Sequence, residues 1–435
     1  MARARIGEFD ETDLATQRDY LELAFHGELV SRSPPADHAP DDAVAPAPLE
    51  QAQSVFDRLR TTAKRNGDDR PTWLLRQATD DGFTAEVIND HVYNGRLGVS
   101  LFAAGLYRTT GEDEYRAFAE TVVEPVVEGL GPDTASSDRM VGMTGDGATV
   151  YGFTTLAGLL GDHQYRSLAT EVAHSMTDRL STSAELDVLQ GSAGAILGLL
   201  RLYDDTGDDA VLDRARTAGE HLLAEQTTVS GVDVWNSHTR GTPLQGFAHG
   251  VSGIAYALCR LAAATGEARF AERALDALAF EHELFDPARD NWIDARRDDD
   301  SCALSWCHGR PGIGLARLGV ADLVADDRVE RDVQRALAGC DSEPAVVCDH
   351  LCCGTFGRVE FLIEAARRTG DEQYHTRARE LADTCRHRAA AAGGFRGPYS
   401  NGRLHDPSFF VGEAGIGYTL LRLENPDLPS VLLFE

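Results

Sequence analysis

Lysine is almost missing from this chain: Lys64 is the only one, and the 41 basic residues face 70 acidic ones for a formal net charge of -29. Such a surface repels nucleic acid and anionic lipid, so neither is expected as a partner. No apolar run reaches the ~18 residues of a membrane-spanning helix. The opening residues, MARARIGEFDETD, lack the apolar segment of a secretory signal, which points to the cytoplasm. Nor does the sequence carry a P-loop or kinase-type phosphate motif. An acidic, lysine-poor surface suits a saline cell interior, where screening removes self-repulsion; a GC-rich genome favouring Arg codons would leave the same imprint.

What is present begins with size. A chain of 435 residues, 43% hydrophobic with mean hydropathy of -0.27, can hold two or three ordinary domains or one large repeat architecture. Eight cysteines without a secretion signal favour reduced thiols or metal ligation over a disulfide framework. Five of them, Cys302, Cys307, Cys348, Cys352 and Cys353, crowd one stretch.

A G-x-x-G pattern recurs seven times, each time ahead of an apolar run at helical spacing: Gly95 to Gly98, Gly142 to Gly145, Gly191 to Gly194, Gly250 to Gly253, Gly309 to Gly312, Gly354 to Gly357 and Gly412 to Gly415. The copies start 45 to 59 residues apart, room for two helices and two loops. Helices such as AILGLLRLY and IAYALCRLAAA are apolar almost all round, as for helices buried on both sides. Thr-Gly breaks at 110–111, 206–207, 265–266 and 369–370 end them. Amphipathic segments such as DEQYHTRARELADT follow. The expectation is an all-α protein, an α/α toroid of seven inner and seven outer helices spanning residues 85–435, with the residues before each glycine pair facing the central cavity. Residues 1–84 read as an N-terminal appendage: a capped helix over 10–30, a Pro-rich linker and a helix near Leu49 to Arg65.

Aligned on their first glycine, the repeats place Tyr93-Asn94, Met140-Val141, Leu189-Gln190, Ala248-His249, Cys307-His308, Cys352-Cys353 and Phe410-Val411 at the cavity mouth. Repeats five and six thus bring together Cys307, Cys352 and Cys353, a plausible Zn2+ site, because zinc favours tetrahedral sulfur ligation and a catalytic site keeps one vacancy. The plainer alternative is three small buried thiols in a core. His308 could ligate, though an orienting role suits it better. Cys259, Cys340 and Cys385 belong to helical core.

These stretches resemble the lanthionine synthetase cyclases, the LanC family and the C-terminal cyclase half of the bifunctional LanM enzymes. The likeness rests on Asp187-Val-Leu-Gln-Gly-Ser-Ala-Gly, Gly246-Phe-Ala-His-Gly-Val-Ser-Gly, Ser305-Trp-Cys-His-Gly-Arg-Pro-Gly, Leu351-Cys-Cys-Gly-Thr-Phe-Gly-Arg and the tail from Phe410, and covers residues from about 85 onward. It implies addition of a peptide cysteine thiol to dehydroalanine or dehydrobutyrine in the same precursor peptide, giving a thioether ring. It further implies Cys307, Cys352 and Cys353 as zinc ligands, His249 as acid/base and Asp187 as the carboxylate beside it. The tail and the segment DLATQRDYLELAFHGEL resemble the LanM form in particular. Two departures stand out. The familiar pattern has Cys-His where this chain has Cys352-Cys353, and the arginine found four residues before the first zinc cysteine in free-standing enzymes is Ala303, with Arg296 a weak substitute. Dehydration of Ser and Thr would fall to a partner dehydratase or to a missing part of a longer polypeptide. Other zinc-thiolate chemistry on the same scaffold, such as glutathione adduct formation or thiol alkylation, and a non-catalytic peptide-binding scaffold are the competing readings.

Overall fold

The computed structural model describes residues 45–65, 70–79, 82–131, 139–237, 240–342, 348–397 and 406–435. Helices are numbered in chain order. The inner ones are α2 (Arg96–Thr110), α4 (Asp146–Leu160), α6 (Ser192–Thr206), α8 (Val251–Thr265), α11 (Arg310–Ala321), α13 (Thr355–Thr369) and α15 (Glu413–Glu424). Each packs on the next, and α15 packs back on α2, so the ring closes. Their residues are buried nearly all round, which their apolar composition demanded. Closure is tight enough to need glycine: a Cβ on Gly417 would come within 2.4 Å of the Phe102 ring.

The outer ring follows the expected alternation. α3 (Asp113–Glu128), α5 (His163–Ser175), α7 (Asp209–Ala224), α9 (Ala268–Ala277) with the short α10 (Ala279–Glu283), α12 (Asp327–Ser342) and α14 (Glu372–Ala392) each pack on the inner helix before them. The Thr-Gly breaks work as a unit. Thr206 Oγ1 donates to Leu202 O and accepts from Asp208 N, while Gly207 takes φ of 66° and donates to Tyr203 O. Thr110-Gly111, Thr265-Gly266 and Thr369-Gly370 repeat this arrangement. The double ring of seven inner and seven outer helices is therefore an α/α toroid.

The helix foreseen within the N-terminal appendage is α1 (Pro48–Thr62), and it packs on α15 as the seventh outer helix. Arg58 pairs with Glu413 at 2.9 Å, and Val55, Phe56 and Leu59 are buried. That packing brings a helix from before residue 85 onto the outer face of the ring. Among the described residues, the outer cover of α15 comes mainly from this segment, far from it in the chain. The helix expected over 10–30 and the linker up to 44 lie outside the described residues. Among the described residues, four two-stranded antiparallel hairpins, which the helical periodicity gave no hint of, sit in the connections: β1 (Lys64–Arg65) with β2 (Pro71–Thr72), β3 (Leu74–Thr79) with β4 (Gly82–Val87), β5 (Thr227–Val229) with β6 (Val232–Val234), and β7 (Phe285–Asp286) with β8 (Asn291–Trp292).

Candidate metal centre and active site

The loops ahead of the inner helices are tied to one another around the axis. Met143 N donates to Val188 O, Val188 N to Ala248 O, Phe247 N to Trp306 O, Trp306 N to Cys352 O, Cys352 N to Phe410 O, and Phe410 N to Tyr93 O, all at 2.9 to 3.3 Å. Buried backbone groups must find partners, and here neighbouring repeats supply them. The result is a rigid collar at the mouth, where helix N-termini and two residues from each repeat converge.

The register of repeat two differs from expectation. Its helix is capped by Gly145, the counterpart of Gly95, Gly191, Gly250, Gly309, Gly354 and Gly412, so its mouth residues are Met143-Thr144 rather than Met140-Val141. Its loop is one residue shorter: Asp146 N reaches back to Met140 O, whereas Ser192 N reaches Glu185 O and Arg310 N reaches Ala303 O. Gly142 is a glycine for another reason, since a Cβ there would sit 2.6 Å from the backbone of Gln190 and Gly191.

Cys307, Cys352 and Cys353 meet as expected. Their sulfurs lie within 4.8 Å of one another, with Cys307 to Cys353 at 3.4 Å and Cys352 to Cys353 at 3.5 Å. Sulfurs on a tetrahedral zinc at ~2.3 Å would be about 3.8 Å apart, so the trio fits such an ion. Hydrogen bonds from the other two thiols draw Cys307 well below the ordinary thiol range, and their counterpart pushes Cys352 and Cys353 above it. Ionising all three sulfurs at this spacing would need a cation among them. Cys307 and Cys352 are buried, while Cys353 is exposed, so the cluster is reachable from outside. Cys348 lies beside it but bonds to Cys353 O, and burial pushes its thiol up to about 11. Cys259, Cys340 and Cys385 are buried among helices.

His249 stands in the neighbouring loop. Its Nδ1 is 2.7 Å from Asp187 Oδ2, and Asp187 Oδ1 accepts from Gln190 N at 2.7 Å. Burial alone lowers the His249 pKa; the hydrogen bond and charge of Asp187 more than reverse this, and it stands above the ordinary histidine value. The His308 ring lies parallel to that of His249 with centroids 5.2 Å apart. It is outside the sulfur cluster, and burial lowers it to about 4, so it is a neutral imidazole. Arg296 pairs with Asp294 at 2.6 Å and feels the charge of Cys307 and Cys353. Gln245 clamps that turn to the mouth, donating to Asp294 Oδ1 and to His308 O.

Two contributors went unread in the sequence. Tyr93 Oη lies 3.1 Å from Cys352 Sγ, and burial with the neighbouring sulfurs keeps its pKa well above the ordinary phenol value. The repeat register had already put Tyr93 at the position occupied by Cys307 and Cys352, which was the available signal. Glu281 is the other. Its Oε1 accepts from Gly246 N and Ser252 N, on either side of His249, and its Oε2 pairs with the fully buried Arg317. A lone acidic residue in an amphipathic helix offers no such hint.

A toroid whose mouth carries this set invites comparison with known proteins. The sequence model described as lanthionine synthetase C-like protein matches residues 86–433. The chain belongs to that family. Among solved structures, nisin cyclase superposes with a TM-score of 0.66 at 15% identity, covering 88% of this chain and 97% of that one. That likeness shows a common fold. The Lin0763 protein from Listeria innocua follows at a TM-score of 0.47 and 10% identity, over 87% and 96% of the two chains. Cellobiose 2-epimerase from Bacillus thermoamylovorans overlaps less, at 0.41 and 9%, over 67% and 86%.

Proposed function

We propose that this LanC-like chain is a zinc-dependent cyclase that forms lanthionine or methyllanthionine, adding a cysteine thiolate of a ribosomal precursor peptide to dehydroalanine or dehydrobutyrine in the same peptide. The observation that carries the reading is the meeting of Cys307, Cys352 and Cys353 in one reachable cluster, in a mouth that also holds a hydrogen-bonded His249-Asp187 pair. Nisin cyclase, by its name, acts on a peptide, and the shared fold makes a peptide substrate the natural choice here.

Cys307, Cys352 and Cys353 would hold the ion. A zinc ion held there would supply the positive charge that ionises an incoming thiol near neutral pH. Three protein thiolates rather than two and a histidine would leave more negative charge on the site. Attack at the β-carbon leaves an enolate. His249 has Nδ1 committed to Asp187, so Nε2 is the atom that delivers a proton to the α-carbon or takes one from the entering thiol. Asp187 keeps the ring oriented and favours its charged form. Arg296, held by Asp294, adds a cation that feels the charge of Cys307 and Cys353, a substitute for the arginine that position 303 lacks.

The peptide would arrive with its leader and with Ser and Thr already dehydrated, by a partner dehydratase or another part of a longer polypeptide, in the cytoplasm. Among the described residues no helix is long and apolar enough to cross a membrane. The test is direct. Purified protein is incubated with a dehydrated, cysteine-containing peptide, and unreacted thiols are alkylated before mass spectrometry. Loss of alkylatable thiol without mass change supports the reading; full alkylation after prolonged incubation with metal-replete protein overturns it.

A further inference from the structure

Tyr93 belongs to the first repeat, yet it touches a cysteine of the sixth. Its hydroxyl is 3.1 Å from Cys352 Sγ, and a phenol facing a metal-binding sulfur has one proton to give and a thiolate to receive it. The ring is not free to turn away. It stacks on Phe410 with centroids 4.9 Å apart and planes at 19°, and Phe410 in turn lies parallel to Phe434 at 6.2 Å and 19°. Phe434 is fully buried on the axis, edge-on to Tyr151 at 5.3 Å. Its φ is 57°, a left-handed conformation costly for a bulky side chain and kept only where surroundings over-determine it. Those surroundings are present: Tyr256 Oη donates to Leu433 O at 3.1 Å, and Glu435 pairs with Arg368 at 2.5 Å and Arg260 at 3.3 Å.

We propose that Tyr93 is a positioning residue that fixes Cys352 and draws charge off its sulfur, and that the buried segment around Phe434 sets the tilt of Tyr93 through Phe410. This rests on the metal reading above. The three sulfurs are then unequal. Cys352 is restrained by a phenol, Cys307 has the Ser305 hydroxyl at 3.4 Å, and Cys353 is the exposed member. Outer partners of this kind commonly tune a metal site roughly 10–100-fold.

The experiment uses the full chain loaded with Co2+ in place of zinc, comparing wild type, Tyr93→Phe and Phe434→Leu. Tyr93→Phe removes one oxygen and keeps the stack. Its sulfur-to-cobalt charge-transfer band is expected at longer wavelength, with Cys352 alkylated by iodoacetamide roughly tenfold faster, the size of one hydrogen bond to a charged acceptor. Phe434→Leu should move the band the same way, by less, with cobalt still bound. An unchanged band and alkylation rate in Tyr93→Phe overturn the proposal while leaving the metal reading intact; a shift in Tyr93→Phe with none in Phe434→Leu overturns the role of the Phe434 segment. Wild-type protein that takes up no cobalt sinks both readings together.

Discussion

The two ends of the inner ring carry opposite chemistry. At the mouth, where the inner helices begin, stand three thiols, two histidines and a collar of backbone hydrogen bonds. In the later turns of the same helices lie Arg260, Arg368 and Arg422, paired with Glu435, Glu364 and Glu360. Helix N-termini carry partial positive charge and C-termini partial negative charge. Seven converging N-termini therefore favour thiolates, while the far end favours arginine. One pole gathers ionisable sulfur; the other is held by buried ion pairs.

The largest effect should come from breaking the first pole. Cys353→Ala is expected to lose zinc and ring closure together, and a full metal complement by elemental analysis would contradict the ligand set. Next, His249→Ala should keep zinc near one per chain yet slow ring closure by roughly 10²–10⁴-fold, the usual reach of general acid-base catalysis. Loss of metal in that variant would remove His249 from the acid/base role.

The second pole is challenged by Arg422→Met, which deprives the buried Glu360 and Glu364 of a partner. Breaking a buried pair costs about 3–5 kcal/mol, read by denaturant unfolding, while ring closure per folded molecule should hold. A comparable drop in turnover with no loss of stability would show that the poles are not separable. The mildest perturbation is Asp187→Asn. Its charge raises the His249 pKa, and an acid acting as imidazolium loses activity as pH rises through that pKa. Removing the charge lowers the pKa, so the falling limb of kcat/KM should move to lower pH. A limb that stays in place would deny Asp187 this role.

Much of this was legible in the residues because repeats carry register. Once the glycine pairs are aligned, Cys307, Cys352, Cys353 and His249 fall at equivalent positions, and equivalent positions in a closed ring face one cavity. The same device misplaced repeat two, where a loop one residue shorter shifts the capping role to Gly145. It also hid Tyr93, whose register was right but whose partner lies across the closure of the ring.

The sequence by itself determined the helical repeat, the sulfur triad and the Thr-Gly stops, because each depends on local spacing or on a pattern repeated along the chain. Only the tertiary structure decided that α1 covers α15, that Glu281 grips the His249 loop, and that Phe434 lies in the stack leading to Cys352. Those contacts join segments far apart in the chain. They arise when the ring closes and a buried group must take whichever partner closure brings to it.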